Sequence, residues 1–236
     1  MPVIEILNLT KRYKSLKAID NLTINVKEGE IFGLLGPNGA GKTTTIRILS
    51  TLTLPTSGRV LINGYDIIND PVRAKNSIGV VHQTLNVDPD LTGYNNLLIH
   101  GMLFGMKRSK IKLRIKKLAN IMGLEERLND YVSSYSGGMK RKLTIVRALL
   151  HKPQLLIMDE PTVGLDVLTR RKIWDLIKSL NKQGVTIFMT THHIEEVEYL
   201  SHRVAIINRG KLIEVGRPYD LKQKFGKKSC RSSNDE

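Results

Sequence analysis

A glycine-rich segment at residues 36–43 has the composition of a phosphate-binding loop. Its sequence, Gly-Pro-Asn-Gly-Ala-Gly-Lys-Thr, matches the spacing G-x-x-x-x-G-K-S/T. Glycines allow successive backbone N–H groups to turn inward around phosphate oxygens. A helix that begins at the end of the loop would add its positive end. We therefore expect a nucleotide to be bound by Gly36, Pro37, Asn38, Gly39, Ala40, Gly41, Lys42, Thr43 and the adjacent Thr44.

Two side chains at the end of this loop are suited to ATP hydrolysis. The Lys42 ammonium is expected to reach the β- and γ-phosphates, and the Thr43 hydroxyl to ligate Mg²⁺. A glycine-rich turn with an accidental lysine is the alternative. The apolar strand before the loop and the helical pattern after it argue against that alternative.

Two adjacent carboxylates, Asp159 and Glu160, end an apolar run at residues 155–158. Neighbouring residues of a strand point to opposite sides, so the two acids have different roles. Asp159 fits the acid that holds Mg²⁺ directly or through water. Glu160 fits a base that polarises an attacking water. The alternative is that the two acids form an ordinary solvated strand end, and the presence of a phosphate loop in the same chain argues against it.

The hydrophobic pattern predicts the elements that position these residues. Helical periodicity covers 44–52, 139–150 and 170–180, and residues 88–151 read as an inserted helical subdomain. Strands that alternate with helices indicate a mostly parallel sheet covered on both faces. After residue 221 the composition turns to Lys, Ser and Asn, which predicts a disordered tail at 222–236. Strands are predicted at 4–9, 22–26, 31–35, 60–62, 78–81, 155–158, 186–190 and 204–207.

Composition narrows the classes of protein to consider. No apolar run approaches the roughly 18–20 residues that span a bilayer, and the N-terminus lacks the features of a secretory signal. With one cysteine, no intrachain disulfide framework can form, so a reducing cytosol is the default. The net charge of +15 favours an anionic neighbour. Much of it lies at 107–117 and after 222, where a solvated lysine-rich face is an equal alternative.

The segment Tyr135-Ser136-Gly137-Gly138-Met139 lies between the phosphate loop and the acidic strand. With that order of motifs, the sequence resembles the nucleotide-binding subunit of an ATP-binding cassette (ABC) transporter over nearly all of residues 1–220. The resemblance implies an α/β P-loop NTPase fold with a mostly parallel core sheet, an N-terminal antiparallel β subdomain and the inserted helical subdomain. It implies one ATPase domain over residues 1–221, with ATP and Mg²⁺ as cofactors.

Four further residues match elements of that family. Tyr13 resembles the aromatic residue that stacks on adenine. Gln83 resembles the glutamine that contacts Mg²⁺ and links to the transmembrane partner. Asp166, in Gly-Leu-Asp, resembles the aspartate of the loop between two ATPase subunits, and His192 the histidine that contacts the γ-phosphate. Each could instead be an ordinary surface or structural residue.

The signature segment has a physical rationale of its own. The Ser136 hydroxyl, the N–H groups of Gly137 and Gly138, and the start of the next helix make a second anion site. In the family this site meets the γ-phosphate held by the other subunit, which implies a C₂-like, head-to-tail dimer, either homo- or heterodimeric. Met139 replaces the usual Gln and cannot make its polar contacts. We expect activity to survive, because the Ser-Gly-Gly core is intact.

The residues after the signature serine resemble the branch that includes daunorubicin and nodulation-factor exporters. The implied function is a Mg²⁺-dependent ATPase that powers export through a separate transmembrane permease, at the cytoplasmic side of the membrane and with no nucleic acid as partner. One alternative is a non-transport ABC ATPase acting on nucleic acid or ribosomes, motivated by the charge; the single cassette and lack of heptads oppose it. Another is a module that binds ATP without turnover, which Glu160 and His192 oppose. The cargo is not encoded in this chain.

Overall fold

The computed structural model describes residues 2–231 of the chain, with side-chain environments up to residue 224. Strands and α-helices follow one another along these residues in the order β1 (Pro2–Tyr13), β2 (Leu16–Lys27), β3 (Ile31–Leu35), α1 (Lys42–Leu49), β4 (Ser57–Ile62), β5 (Tyr65–Asp66), α2 (Pro71–Asn76), β6 (Ile78–Val81), α3 (Gly93–Leu103), α4 (Arg108–Met122), α5 (Gly137–Leu149), β7 (Leu155–Asp159), α6 (Val167–Lys182), β8 (Thr186–Thr191), α7 (Ile194–Leu200), β9 (Arg203–Asn208), β10 (Lys211–Gly216) and α8 (Pro218–Arg231). Two short 3₁₀ turns, Glu125–Arg127 and Val132–Ser134, lie between α4 and α5.

A six-stranded sheet in the order β10-β9-β3-β8-β7-β6 forms the centre of the molecule. Its pairs are parallel from β9 to β6, and only the edge strand β10 pairs antiparallel, with β9. Every residue of β7 and β8 is buried. Such continuous burial is typical of strands covered on both faces. The first four residues of β7 are accordingly all apolar, and β8 combines Ile187, Phe188 and Met189 with three threonines.

A second, antiparallel sheet in the order β2-β1-β4-β5 covers one side of the core. Helix α1 contributes Ile46, Ile48 and Leu49 to a hydrophobic cluster that also holds residues of both sheets, such as Ile4 and Ile157. Because α1 follows the phosphate loop directly, this packing anchors the loop from its C-terminal side.

Helices α3, α4 and α5 occupy the stretch where the sequence predicts helices. Gly101 of α3 allows close packing, since a Cβ there would lie 2.8 Å from Ile111 Cγ1 of α4. The Tyr135 hydroxyl donates to the Arg127 carbonyl at 2.6 Å and ties the signature segment to the preceding turn. No helix in the described part of the chain is long and apolar enough to cross a membrane.

The end of the chain differs from the expected disordered tail at 222–236, because α8 continues to Arg231. Leu221 is buried, and it lies where a Cβ on Gly216 would approach it to 3.1 Å. Lys222 pairs with Glu198 of α7 at 2.8 Å. These contacts hold the first turns of a segment whose composition alone predicts no structure. Residues 232–236 lie outside the described residues.

The close packing of β6 against α5 at Gly79 can be tested by substitution. A Cβ on Gly79 would lie 2.2 Å from the carbonyl oxygen of Ala148. We expect Gly79→Ala to lower the free energy of unfolding by roughly 2–3 kcal/mol, because the backbone must shift to admit the methyl group. Urea unfolding measures this loss. Val80→Ala, at the next and half-buried position, should cost about 1 kcal/mol or less, and equal losses would contradict the close approach.

Candidate functional site

The phosphate loop connects β3 to α1 at the carboxyl edge of the parallel sheet. Leu35 pairs with Thr191 of β8, and Asp159 of β7 pairs with Thr190 of β8. The three strands therefore end at one level, so that the loop, the two acids and His192 meet at the same edge. This is the position where open α/β sheets bind ligands.

The loop needs glycine at Gly41 for two reasons. Its φ of 107° lies in the region that favours glycine, and a Cβ there would lie 2.6 Å from the Ala18 carbonyl oxygen. The carbonyl of Gly41 accepts the first helical hydrogen bond of α1, from Thr45 N–H at 2.9 Å. The strained turn and the helix start are thus one continuous piece of backbone.

A cavity of about 830 Å³ opens over the loop. That volume lies within the range of pockets for small molecules and cofactors. Tyr13 lines the cavity and is 41% exposed, with the Lys11 ammonium 4.9 Å from the centroid of its ring. The residues that line the cavity are Tyr13, Leu16, Lys17, Ala18, Pro37, Asn38, Gly39, Ala40, Gly41, Lys42, Thr43, Thr44, Gln83, Glu160, Val163, His192 and Arg209.

Lys42 is one of three cations that line the cavity, with Lys17 and Arg209, and only 5% of its side chain is exposed. Its ammonium donates to the carbonyls of Gly36 at 2.6 Å and Pro37 at 3.1 Å, and lies 3.3 Å from Glu160 Oε1. An ammonium has three donors. All three have partners here, so an arriving phosphate would have to replace one of them.

Glu160 connects this lysine to the histidine. Its Oε2 lies 2.6 Å from Nδ1 of His192, while Oε1 faces Lys42. Its φ is 48°, a conformation that costs a non-glycine residue free energy and is common at functional sites. The backbone N–H of Glu160 is held by the Thr190 carbonyl at 3.1 Å. The chain thus turns sharply between the two acids.

Asp159 lies beneath the cavity and is not part of its lining. Its Oδ1 accepts a hydrogen bond from the Thr190 hydroxyl at 2.6 Å, and the residue is 3% exposed. Thr43 and Gln83, the other expected metal ligands, both line the cavity. Hydroxyl, amide and carboxylate oxygens are the hard donors that Mg²⁺ prefers, so the chemistry of this set fits that ion.

Arg141 belongs to the site, although the sequence analysis did not identify it. Its guanidinium donates to the carbonyls of His82 at 2.7 Å, Gln83 at 3.2 Å and Glu160 at 3.4 Å. Burial lowers the pKa of Arg141, while the charges of Asp159 and Glu196 oppose that shift. One helix side chain therefore holds the backbone on both sides of the cavity. The sequence signal that could have identified Arg141 is its position on the helix face of α5 that also carries the buried Ile145 and Ala148.

The structure does not bring the signature residues to the cavity. Ser136 caps α5 by accepting the Met139 N–H at 3.3 Å, and both Ser136 and Gly137 are exposed. A Cβ on Gly138 would lie 2.7 Å from Thr169 Cγ2 of α6. The N-termini of α5 and α6 therefore lie side by side.

Asp166 lies beside this pair of helix ends and caps α6. It accepts the Thr169 N–H at 2.9 Å. Hydrogen bonds from Thr169 hold the pKa of Asp166 below its usual value. Ser136, Gly137, Gly138 and Asp166 thus lie at the N-terminal ends of α5 and α6, and none of them lines the cavity that Lys42 and Glu160 line.

Comparison with known proteins identifies related chains. The family model described as ABC transporter matches residues 19–163. The chain is 42% identical to a linearmycin resistance ATP-binding protein of Bacillus subtilis, over 93% of this chain and 70% of that one. It is 45% identical to a Nod factor export ATP-binding protein I of Cupriavidus metallidurans, over 93% of this chain and 72% of that one.

Solved structures show the same fold. The structure of cbiO1 from Clostridium perfringens, part of the ABC transporter complex cbiONQ, superposes with a TM-score of 0.86 at 27% identity, covering 99% of this chain and 94% of that one. The dimeric structure of a post-hydrolysis state of the ATP-binding cassette MJ0796, bound to ADP and Pi, superposes with a TM-score of 0.82 at 29% sequence identity. The match covers 91% of this chain and 98% of that one. These matches confirm the expected α/β P-loop fold with its parallel core and antiparallel sheet.

The Arg141 contacts generate a test at the site. We expect Arg141→Met to lower the rate of nucleotide hydrolysis roughly 10- to 100-fold, because the backbone at Gln83 and Glu160 loses its common support. Nucleotide affinity should change little, since Arg141 does not line the cavity. Phosphate release and a fluorescent-nucleotide titration measure the two quantities. Lys140→Met, on the neighbouring residue, is the control, and equal effects of both changes would contradict the assignment.

Proposed function

This chain belongs to the ABC transporter family, and from that premise we propose that it is the subunit of an exporter that drives cargo through a separate transmembrane partner. The chain is an ABC ATPase. The observation that supports its role in turnover is the Lys42–Glu160–His192 contact chain within the cavity. The antibiotic-resistance and export names of its relatives support the export direction.

In the proposed mechanism the loop and Tyr13 bind ATP. The N–H groups of the loop and the Lys42 ammonium hold the phosphates, and the Tyr13 ring stacks on the adenine. The cavity spans both ends of such a ligand, because Tyr13 and Lys42 line it together. The binding of phosphate draws Lys42 away from Glu160, since the phosphate is the stronger anionic partner.

The release of Lys42 leaves Glu160 Oε1 free to accept a hydrogen bond from water. As that water attacks the γ-phosphorus, its proton passes to the carboxylate, the bond to the bridging oxygen breaks, and ADP and phosphate form. His192 keeps Glu160 in place through Oε2 and presents its other ring nitrogen to the γ-phosphate. Thr43, Asp159 and Gln83 would hold a magnesium ion, which when bound neutralises phosphate charge.

We propose that the nucleotide site is closed by a second subunit. Ser136 and Gly137 are exposed and do not line the cavity of their own chain. The N-terminus of α5 offers them a positive dipole end, which suits an anion brought by a partner. The similarly folded MJ0796 structure is a dimer bound to ADP and Pi, which supports the same arrangement in this chain. ATP then acts as the contact that joins two subunits.

The role of Glu160 is tested by a near-isosteric change. Glu160→Gln should lower the rate of ATP hydrolysis roughly 100- to 1,000-fold, because an amide cannot accept the proton of the attacking water. Phosphate release under saturating ATP measures this rate. Glu195→Gln, an exposed acid close to the same histidine in sequence, should keep the full rate. A Glu160→Gln variant with wild-type turnover would overturn the assignment of the base.

The role of the signature surface is tested in the same background. With ATP, the Glu160→Gln variant should show twice the monomer mass by light scattering. Addition of Ser136→Glu should keep it monomeric, because a carboxylate would face the γ-phosphate of the partner. Ser133→Glu, at an exposed position just before the signature, is the matched control. A dimer that tolerates Ser136→Glu would show that this surface does not close the site.

A further inference from the structure

A basic surface on the helical subdomain has no part in the proposed hydrolysis. The chain contains no acidic residue between Asp90 and Glu125, although α3 and α4 both lie in that interval. The charge concentrates on α4, whose sequence begins Arg-Ser-Lys-Ile-Lys-Leu-Arg-Ile-Lys-Lys. This concentration is a local feature of the molecule, beyond its general excess of lysine.

One apolar side chain lies at the centre of this charge. Leu113 is 71% exposed, and it projects from the side of α4 opposite to the buried Ile111, Ile115 and Leu118. Helix geometry makes positions i±3 and i±4 its neighbours. Three of these positions are the exposed lysines Lys110, Lys116 and Lys117. Leu113 and these three lysines are named the α4 face.

The lysines of the α4 face are not neutralised within the described part of the chain. No salt bridge among the described residues involves Lys110, Lys116 or Lys117. Arg114, by contrast, turns inward and donates to the carbonyls of Leu149 at 2.7 Å and Leu150 at 3.2 Å. Arg114 therefore binds α4 to the end of α5, whereas the lysines of the α4 face are exposed to solvent.

An apolar recess adjoins the same face. A cavity of about 470 Å³ lies between α3, α4 and the following 3₁₀ turn, and it is lined mainly by Tyr94, Leu113, Ile115 and Leu128. Lys112, Lys116 and Glu125 also line it, and Glu125 accepts a hydrogen bond from the Asn120 amide at 2.9 Å. Two lysines against one carboxylate leave the lining with net positive charge around an apolar floor, which matches a partner that carries negative charge outside and hydrocarbon beneath.

We propose that the α4 face binds the surface of an anionic membrane, with its lysines at the lipid headgroups and Leu113 inserted among the acyl chains. Lysine clusters bind anionic leaflets through charge, and an exposed leucine adds the apolar contact that holds a helix at the interface. The proposal rests on the proposed function for one point only, the presence of a membrane beside the subunit.

Nucleic acid is the competing polyanion, and the composition of the face opposes it. Single-stranded nucleic acid is bound through stacking of bases on aromatic side chains beside basic residues. The α4 face has an aliphatic residue at its centre, and α4 itself contains no aromatic residue. The aromatic side chain in the adjoining recess, Tyr94, is half-buried against the core. The positive charge alone would bind either nucleic acid or an anionic membrane, whereas the exposed Leu113 favours the membrane.

Vesicle sedimentation with the full chain tests the proposal. The wild-type protein should bind vesicles of phosphatidylcholine with about 30% phosphatidylglycerol and should not bind phosphatidylcholine alone, because the leaflet must carry negative charge. Binding should weaken when NaCl rises from about 0.1 to 0.5 M, since salt screens surface charge. The assay needs neither ATP nor a permease, so its failure would leave the proposed ATPase role intact. Failure of the Glu160→Gln prediction would likewise leave this assay unaffected.

Two variants and a matched control locate the binding surface. Replacing Lys110, Lys116 and Lys117 by Gln should lower the partition coefficient roughly 100-fold, since each lysine near an anionic leaflet contributes about fivefold. Leu113→Gln should lower it roughly tenfold through lost apolar burial. The control replaces the exposed Lys27, Lys172 and Lys182 by Gln and removes the same charge elsewhere. It should leave binding within about threefold of wild type.

Several outcomes would overturn the proposal. Equal losses in the two triple variants would assign binding to net charge rather than to the α4 face. Equal binding to neutral vesicles would exclude recognition of headgroup charge. An unchanged Leu113→Gln variant, together with release from vesicles by single-stranded RNA, would assign the face to nucleic acid instead. Phosphate release by each variant, at the wild-type rate, shows that the fold is retained.

Discussion

The contact between Lys42 and Glu160 is the interaction on which the rest of the site depends. Both side chains are almost completely buried, at 5% and 7% exposure. Charges removed from water are costly unless each finds partners of opposite charge or hydrogen-bonding groups. Here the loop carbonyls complete the shell of the lysine, and His192 completes that of the carboxylate. Each buried charge therefore has partners within the chain, and in the proposed function a phosphate replaces one partner of Lys42.

The contacts among Lys42, Glu160 and His192 require three neighbouring strands of the core sheet to end at one level. The register of β3, β8 and β7 brings residues from distant parts of the chain to one edge. Arg141 then ties the signature helix to the same edge through backbone carbonyls. A displacement of α5 would consequently move the backbone at Gln83 and Glu160. This connection gives a physical route by which the arrangement of the helical subdomain and the state of the nucleotide can affect each other.

The molecule presents chemically different surfaces from this common frame. The cavity is lined by Lys17, Lys42 and Arg209 beside Glu160, whereas Ser136 and Gly137 form an exposed helix end that, in the proposed function, meets an anion brought by another subunit. The α4 face is a third surface, basic with an apolar centre. The cavity and the α4 face thus both carry part of the net charge of +15.

The sequence by itself determined the motifs, because their chemistry lies within a few consecutive residues. The strands Ile31–Leu35 and Ile78–Val81 were predicted with their observed bounds, and the loop between β3 and α1 was identified by its glycines and Lys42. The tertiary structure alone decided the rest. Arg141 contacts carbonyls 19 to 59 residues away, and Lys222 of α8 pairs with Glu198 of α7, 24 residues away. Such contacts join distant parts of the chain through space, so neither periodicity nor composition encodes them locally.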